Sequence, residues 1–259
     1  MQDERQAQIL ELVRAEGFAP IEGLAERFGV TPQTVRRLVN RLCDQGLLRR
    51  LHGGVTLPAP VQNLAYEGRQ VLNLPAKRAI AQAVAAFLPE GASLSLGLGT
   101  TPEQVAVALA GRRNLRVITN SLNAAAALAR NPEIEITIAG GLLRAQDRDI
   151  VGEAAASFFA GFKVDFGIFG VGGIDEDGTL LDFQLAEVQA RQAMRENCRT
   201  ELLVADVSKF GRNATARGGR LEEVQCLFTD RPVPEPFGAP LAAAGVSLHV
   251  AAPVAEEAA

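Results

Sequence analysis

The run Thr31-Pro-Gln-Thr-Val-Arg-Arg37 leads shortly into Leu47-Leu-Arg-Arg-Leu-His-Gly-Gly54, and the two read as a recognition helix and a basic β-wing. Thr31 is a good N-cap, and Pro32 suits the first helical turn, where no backbone N–H is needed. Val35, Leu38, Val39 and Leu42 fall on one helical face. That leaves Gln33, Thr34, Arg36, Arg37 and Arg41 facing outward, where such side chains can bond base edges and phosphates. Arg49, Arg50 and His52 add polar and basic groups on the wing.

The residues before this run fit the same reading. Ile9, Leu12 and Val13 predict an amphipathic helix ending near Gly17; Ile21, Leu24, Ala25 and Phe28 predict a shorter one, with Gly29 making the turn before Thr31. Helix, helix, tight turn, helix and hairpin is the helix-turn-helix arrangement with a wing. A winged helix that binds only protein would share the pattern, its arginines being solvated. The convergence of basic and polar groups on one helix and its wing favours double-stranded DNA.

Overall charge first argues against that partner, because the chain has a net charge of -4 and a pI near 5.4. The distribution answers the objection. Arg36, Arg37, Arg41, Arg49 and Arg50 stand against a single Asp44 between positions 36 and 50, whereas 23 of the 30 acidic residues follow position 58. A basic patch on an acidic body suits a DNA reader tethered to a sensor.

With 259 residues, 47% of them hydrophobic, the chain can bury one large core and one small one. The expected units are residues 1–57, a winged helix-turn-helix; 58–75, a linker containing Pro58 and Pro60; 76–253, an α/β domain; and 254–259, a frayed tail. No apolar run is long enough to span a bilayer and no signal peptide is recognised, so a cytoplasmic protein without membrane contact is expected. Cys43, Cys198 and Cys226 are scattered and odd in number, and there are two histidines, so neither a disulfide framework nor a metal centre is expected. No cofactor is expected either.

From Ser93 onward short apolar runs alternate with helical stretches. Strands are predicted at 93–98, 115–119, 135–139, 165–170, 201–205, 225–229 and 247–250, with helices near 76–88, 102–110, 121–130, 153–161, 184–197 and 238–244. Continuous apolar strands suit a parallel sheet covered on both faces, with small-molecule sites at the carboxyl ends of its strands. There stands Gly99-Thr100-Thr101-Pro102-Glu103, where backbone N–H groups and two hydroxyls can cradle a phosphate, although Thr-Thr-Pro is also an ordinary helix start. Asn120, Gly140-Gly141 and Gly170-Val-Gly-Gly173 also follow strands, although tight turns need glycine anyway. Lys209 and Arg212 can pair with phosphate, while Asp182 or Glu187 can accept bonds from hydroxyls; each is equally compatible with a solvated loop. Together they describe a polyol phosphate or sugar phosphate.

The chain resembles the DeoR family of bacterial transcriptional repressors along essentially its full length. Arg5 to Val55 is similar to the family's winged helix-turn-helix, most specifically in Val-Thr-Pro-Gln-Thr-Val-Arg-Arg and Arg-Arg-Leu-His-Gly-Gly. The remainder resembles its sensor domain, whose fold is related to ribose-5-phosphate isomerases. The runs Gly99–Glu103, Asp175–Phe183, Glu187-Val188 and Ser208–Ala214 carry that likeness. The resemblance implies a non-catalytic repressor of a carbon-catabolism operon, a homo-oligomer with paired DNA heads. It implies an effector, glycerol-3-phosphate or another sugar phosphate, held at Gly99, Thr100 and Thr101 with Asn120, Gly141, Gly173, Asp175, Glu187 and Lys209 around it. A sugar-phosphate isomerase with an accessory DNA module is the alternative. Gly97 stands where family members commonly carry aspartate, which removes a carboxylate base and counts against the isomerase. Leu38 stands where Arg-Arg-Asp is usual, freeing the neighbouring arginines from a pairing.

Overall fold

The computed structural model describes residues 2–44, 47–51, 53–57 and 66–252. The first unit contains α1 (Gln2–Glu16), β1 (Phe18–Pro20), α2 (Ile21–Phe28), α3 (Pro32–Asp44), β2 (Arg49–Leu51) and β3 (Gly54–Thr56). Gly29 ends α2 at φ 60°, a left-handed conformation that costs a side-chain-bearing residue energy, and so turns the chain directly into α3. The Thr34 amide donates to Thr31 Oγ1 at 3.3 Å, the expected N-cap. Ile9, Val13, Leu24, Val35, Val39, Leu42 and Val55 form one small buried cluster. The strand β1 is additional to the sequence reading: it pairs antiparallel with β3 and completes a sheet of order β1-β3-β2.

Residues 58–65 of the expected linker and the tail 254–259 lie outside the described residues. The rest of that linker is not extended. It forms α4 (Tyr66–Val71), and α5 (Leu74–Phe87) begins before position 76. Pro75 sits in the first turn of α5, where its missing N–H costs nothing.

The larger unit continues with β4 (Ser93–Leu96), α6 (Thr100–Leu109), β5 (Arg116–Thr119), α7 (Leu122–Leu128), β6 (Glu135–Ile138), α8 (Glu153–Ala160), β7 (Val164–Phe169), β8 (Gly173–Ile174), β9 (Thr179–Asp182), α9 (Leu185–Glu196), β10 (Cys198–Val204), β11 (Ala216–Arg220), β12 (Cys226–Thr229), α10 (Glu235–Ala244) and β13 (Ser247–Val250). Seven strands form one parallel sheet, ordered β13-β12-β10-β7-β4-β5-β6. They correspond to the seven expected from apolar runs. Leu94, Leu96, Ile168 and Leu202 are fully buried beneath the helices, each worth about 1.5–3 kcal/mol of burial. β8, β9 and β11 form a separate antiparallel sheet ordered β11-β9-β8.

The sheet order fixes where a ligand can enter. From β4 the chain runs outward through β5 and β6, then returns to the other side of β4 with β7, β10, β12 and β13. The crevice at the carboxyl ends of β4 and β7 is therefore a topological switch point, the usual ligand position in such sheets. Among the described residues no helix is long and apolar enough to cross a membrane, and no His, Cys, Asp and Glu group could hold a metal ion.

Candidate functional site

Two surfaces carry chemistry. On the first unit, Thr31, Gln33, Thr34, Arg36, Arg37 and Arg41 are all exposed on α3 and its start. The opposite face of α3 is buried through Val35, Leu38, Val39 and Leu42, so packing holds the polar face outward. Arg36 and Arg50 line one groove between α3 and the wing, with Asn40 and Gly53. His52 lies outside the described residues.

The second surface is the switch-point crevice, which has two chambers. The outer one is lined by Gly99, Thr100 and Thr101 at the start of α6, by Gly170-Val171-Gly172 after β7, and by Arg69, Lys209 and Arg212. Gly99 adopts φ 114°, which lets the chain turn sharply from β4 and expose the first amides of α6. Three cations from two separate segments, α4 and the loop after β10, thus meet a helix N-terminus. The inner chamber is lined by Gly97, Asn120, Phe159, Phe169, Arg191 and Met194, and shares Leu98, Gly170, Asp182 and Glu187 with the outer.

The electrostatics divide along the same line. Burial pushes the Lys209 ammonium down to about 7, and Arg212 beside it pushes the same way, although Asp206 opposes both. Burial likewise lowers Arg212. At the inner end burial raises Asp182 and Glu187, with Asp182 adding to the rise at Glu187 and arginines opposing it in both. Asp182 meets Arg191 Nη1 at 3.0 Å and accepts from the Gly172 amide at 2.8 Å; Glu187 meets Arg144 Nη1 at 2.9 Å. Asn120 donates through Nδ2 to the Ile150 carbonyl at 2.7 Å, while its buried Oδ1 has no partner among the described residues. The crevice offers cations and amides for a phosphate at one end and acceptors for hydroxyls at the other.

Residues 5–61 match the model of the DeoR-like helix-turn-helix domain, and residues 72–231 match that of the DeoR C-terminal sensor domain. The chain belongs to the DeoR family. It is thus a transcriptional regulator rather than an enzyme. It is 44% identical to a glycerol-3-phosphate regulon repressor of Escherichia coli over 90% of this chain and 92% of that one. A protein of the same description from Haemophilus influenzae is 46% identical over 89% of this chain and 90% of its own. A solved ribose 5-phosphate isomerase A from Methanocaldococcus jannaschii aligns with 52% of this chain and 53% of its own, at 18% identity and a TM-score of 0.38.

In this DeoR-family chain the crevice collects Gly99, Thr100, Thr101, Asn120, Glu187 and Lys209 of the residues expected from sequence, but not Gly141, Gly173 or Asp175. A side chain at Gly141 would press on Ala154 and Ile150, and its φ of 142° is one that glycine adopts readily, so the turn accounts for it. Gly173 lies against the Arg212 carbonyl, where a side chain would displace the loop that carries Lys209. The Asp175 carboxylate accepts from the neighbouring Glu176 amide within a turn. Arg69 is the addition. It reaches the outer chamber from α4, held by an ion pair with Asp147 and by stacking against Tyr66, whose hydroxyl donates to the buried Glu103. Its segment reads as linker, so sequence alone conceals it.

Arg49 departs from its neighbours on the wing. Arg50 is exposed, but Arg49 turns inward, donating to the Phe210 carbonyl at 3.4 Å and packing on Gly211. Leu51 follows it, packing against the buried sensor cluster that contains Phe210, Leu227 and Phe237. Asn73 closes the same seam, donating to Asp206 Oδ1 at 3.1 Å and Ser208 Oγ at 3.0 Å while lying against Gly17. The loop that supplies Lys209 and Arg212 to the crevice is therefore the loop on which the DNA head rests.

Proposed function

We propose that this chain is a cytoplasmic repressor that binds double-stranded operator DNA as a homo-oligomer and is released by a phosphorylated metabolite, glycerol-3-phosphate. The observation that carries the reading is the polarity of the crevice, with Arg69, Lys209 and Arg212 around the start of α6 and Asn120, Asp182 and Glu187 within. A phosphate is attracted to the first group, and a hydroxylated carbon chain to the second. Similarity to glycerol-3-phosphate regulon repressors supports the named effector. On DNA, α3 supplies Thr31, Gln33, Thr34, Arg36, Arg37 and Arg41, and the wing supplies Arg50. Paired heads match paired half-sites, and effector binding favours an arrangement in which they no longer do. The units assigned from sequence, a reader of residues 1–57 and a sensor of 76–253, are retained, with α4 belonging functionally to the sensor.

The test is fluorescence anisotropy on DNA from the protein's own upstream region, with and without glycerol-3-phosphate. Tight binding that the metabolite weakens supports the reading. Tight binding indifferent to it removes the effector, and sequence-blind, salt-sensitive binding removes the operator role.

A further inference from the structure

The inner chamber ends on a single flexible side chain. Met194, on α9, is 1% exposed and lies over Gly97 at the end of β4. A methyl group at position 97 would stand 3.2 Å from Met194 Cε and 3.4 Å from the Ile168 carbonyl oxygen. The thioether therefore fills the space that opens above Gly97, and Phe159 and Phe169 complete the apolar back wall. What remains has room for about one water molecule. Yet this small space is not wholly apolar, because Asn120 is 1% exposed and its Oδ1 has no partner among the described residues. An unsatisfied buried acceptor in a chamber of that size is matched by one donor group, a single hydroxyl.

We infer that Met194 sets the length of the effector, admitting one terminal hydroxymethyl group that donates to Asn120 Oδ1 and excluding polyol phosphates longer than three carbons. The inference rests on the crevice being the effector site. With the phosphate held at Gly99–Thr101 by the cations of the outer chamber, the far end of the chain enters the inner chamber lined by Asn120 and Met194, which adjoins the outer at Leu98 and Gly170. A longer chain drives its extra carbons into Met194. Specificity arises from steric exclusion and a matched hydroxyl together: an apolar wall alone discriminates weakly against added carbons, whereas a buried acceptor left unpaired penalises a ligand lacking the donor.

The experiment is calorimetric titration of the full-length protein, paired with operator release, using glycerol-3-phosphate, erythritol-4-phosphate, ribitol-5-phosphate and inorganic phosphate. The wild-type protein is expected to prefer glycerol-3-phosphate over ribitol-5-phosphate by at least about tenfold. Met194→Ala is expected to narrow that preference to within about threefold, and Gly97→Ala, which adds a methyl group to the same space, to lower the ratio of glycerol-3-phosphate to inorganic phosphate affinity by about tenfold. Equal wild-type affinity for the longer phosphates overturns the inference, as does a folded Met194→Ala protein with an unchanged length profile. If thermal melting shows that Met194→Ala does not fold, the Gly97→Ala ratio decides: a fall supports the inference and no change overturns it. Wild-type protein that binds none of the four phosphates overturns the effector site itself, a distinct result read before any variant.

Discussion

Arg49 of the wing donates to the carbonyl oxygen of Phe210, 3.4 Å away, across the seam between DNA head and sensor. Its guanidinium also lies 2.7 Å from where a side chain on Gly211 would begin, so the loop is shaped to receive it. Phe210 stands between Lys209 and Arg212, which face the crevice. A ligand drawing those cations inward moves the carbonyl on which Arg49 rests, giving the two sites a physical connection. Arg49→Ala is therefore expected to reduce the factor by which effector weakens operator binding, with glycerol-3-phosphate still bound in calorimetry. A loss of about 1 kcal/mol in operator affinity with the release factor unchanged would instead make Arg49 an ordinary phosphate contact.

On α3 the expectation differs, because Arg37 is exposed on the polar face of the helix. Arg37→Ala is expected to weaken operator binding by about 1–3 kcal/mol if it reads a base edge in the major groove. Arg36 and Arg50 share the groove beside the wing, the placement of phosphate contacts. Substituting either is expected to lower the salt slope of binding by about one while affecting operator and random DNA alike. Anisotropy titrations at several salt concentrations separate the two behaviours. An Arg37→Ala protein with wild-type affinity at fixed salt removes that residue from the reading surface.

Much of this was legible in the sequence, for definite reasons. The helix-turn-helix shows itself through Gly29, Thr31 and the spacing of Val35, Leu38, Val39 and Leu42, all local signals. Runs such as Leu202-Leu-Val204 expose the buried parallel strands. β8 and β9 escape notice because they are short and lie among glycines and turns, where no periodicity develops. Arg69 escapes because a six-residue helix outside a recognisable periodic pattern looks like linker. The inward turn of Arg49 did leave a trace: Arg49 and Leu51 share one strand face and Arg50 takes the other, so an apolar Leu51 already marks the face that docks. Gly141, Gly173 and Asp175 follow or adjoin the right strands, but what they touch depends on chain segments distant in sequence.

Lys209 gives the effector response a pH dependence of defined sign. Burial first, then Arg212, holds its pKa at about 7 in the unliganded protein. A bound phosphate dianion restores the charged form, so above pH 7 binding must take up a proton. Affinity is then expected to fall as pH rises from 7 to 9, by at most about tenfold per unit. Below pH 7 the lysine is charged before binding and this contribution is flat, with the ligand's own second ionisation, at about 6, becoming the relevant step. In the unliganded protein the same shift makes stability rise with pH above 7, because the unfolded chain keeps a proton that the folded one has released. Calorimetry at pH 8.5 in two buffers of different ionisation enthalpy measures the uptake. Identical heats in both, with an affinity equal to that at pH 7, would show that Lys209 does not meet the phosphate.

Arg191 and Asp182 form the pair beneath the crevice floor, 3.0 Å apart with side chains 5% and 8% exposed. Arg191 also donates to the Gly218 carbonyl at 3.2 Å and lies against the Phe169 ring. It thereby ties α9 to β9 and β11, and holds Asp182 where the Gly172 amide can reach it. Desolvating two charges offsets most of their attraction, so the pair adds little beyond a well-packed apolar substitute, but losing one member strands the other. Arg191→Met is therefore expected to cost about 3–5 kcal/mol of stability, and the double variant Arg191→Met with Asp182→Leu to recover part of it. Chemical denaturation of the three proteins measures this. A single variant as stable as wild type would mean that Asp182 is already neutral in the folded protein, consistent with the direction in which burial moves it, and that a hydrogen bond rather than an ion pair holds the floor.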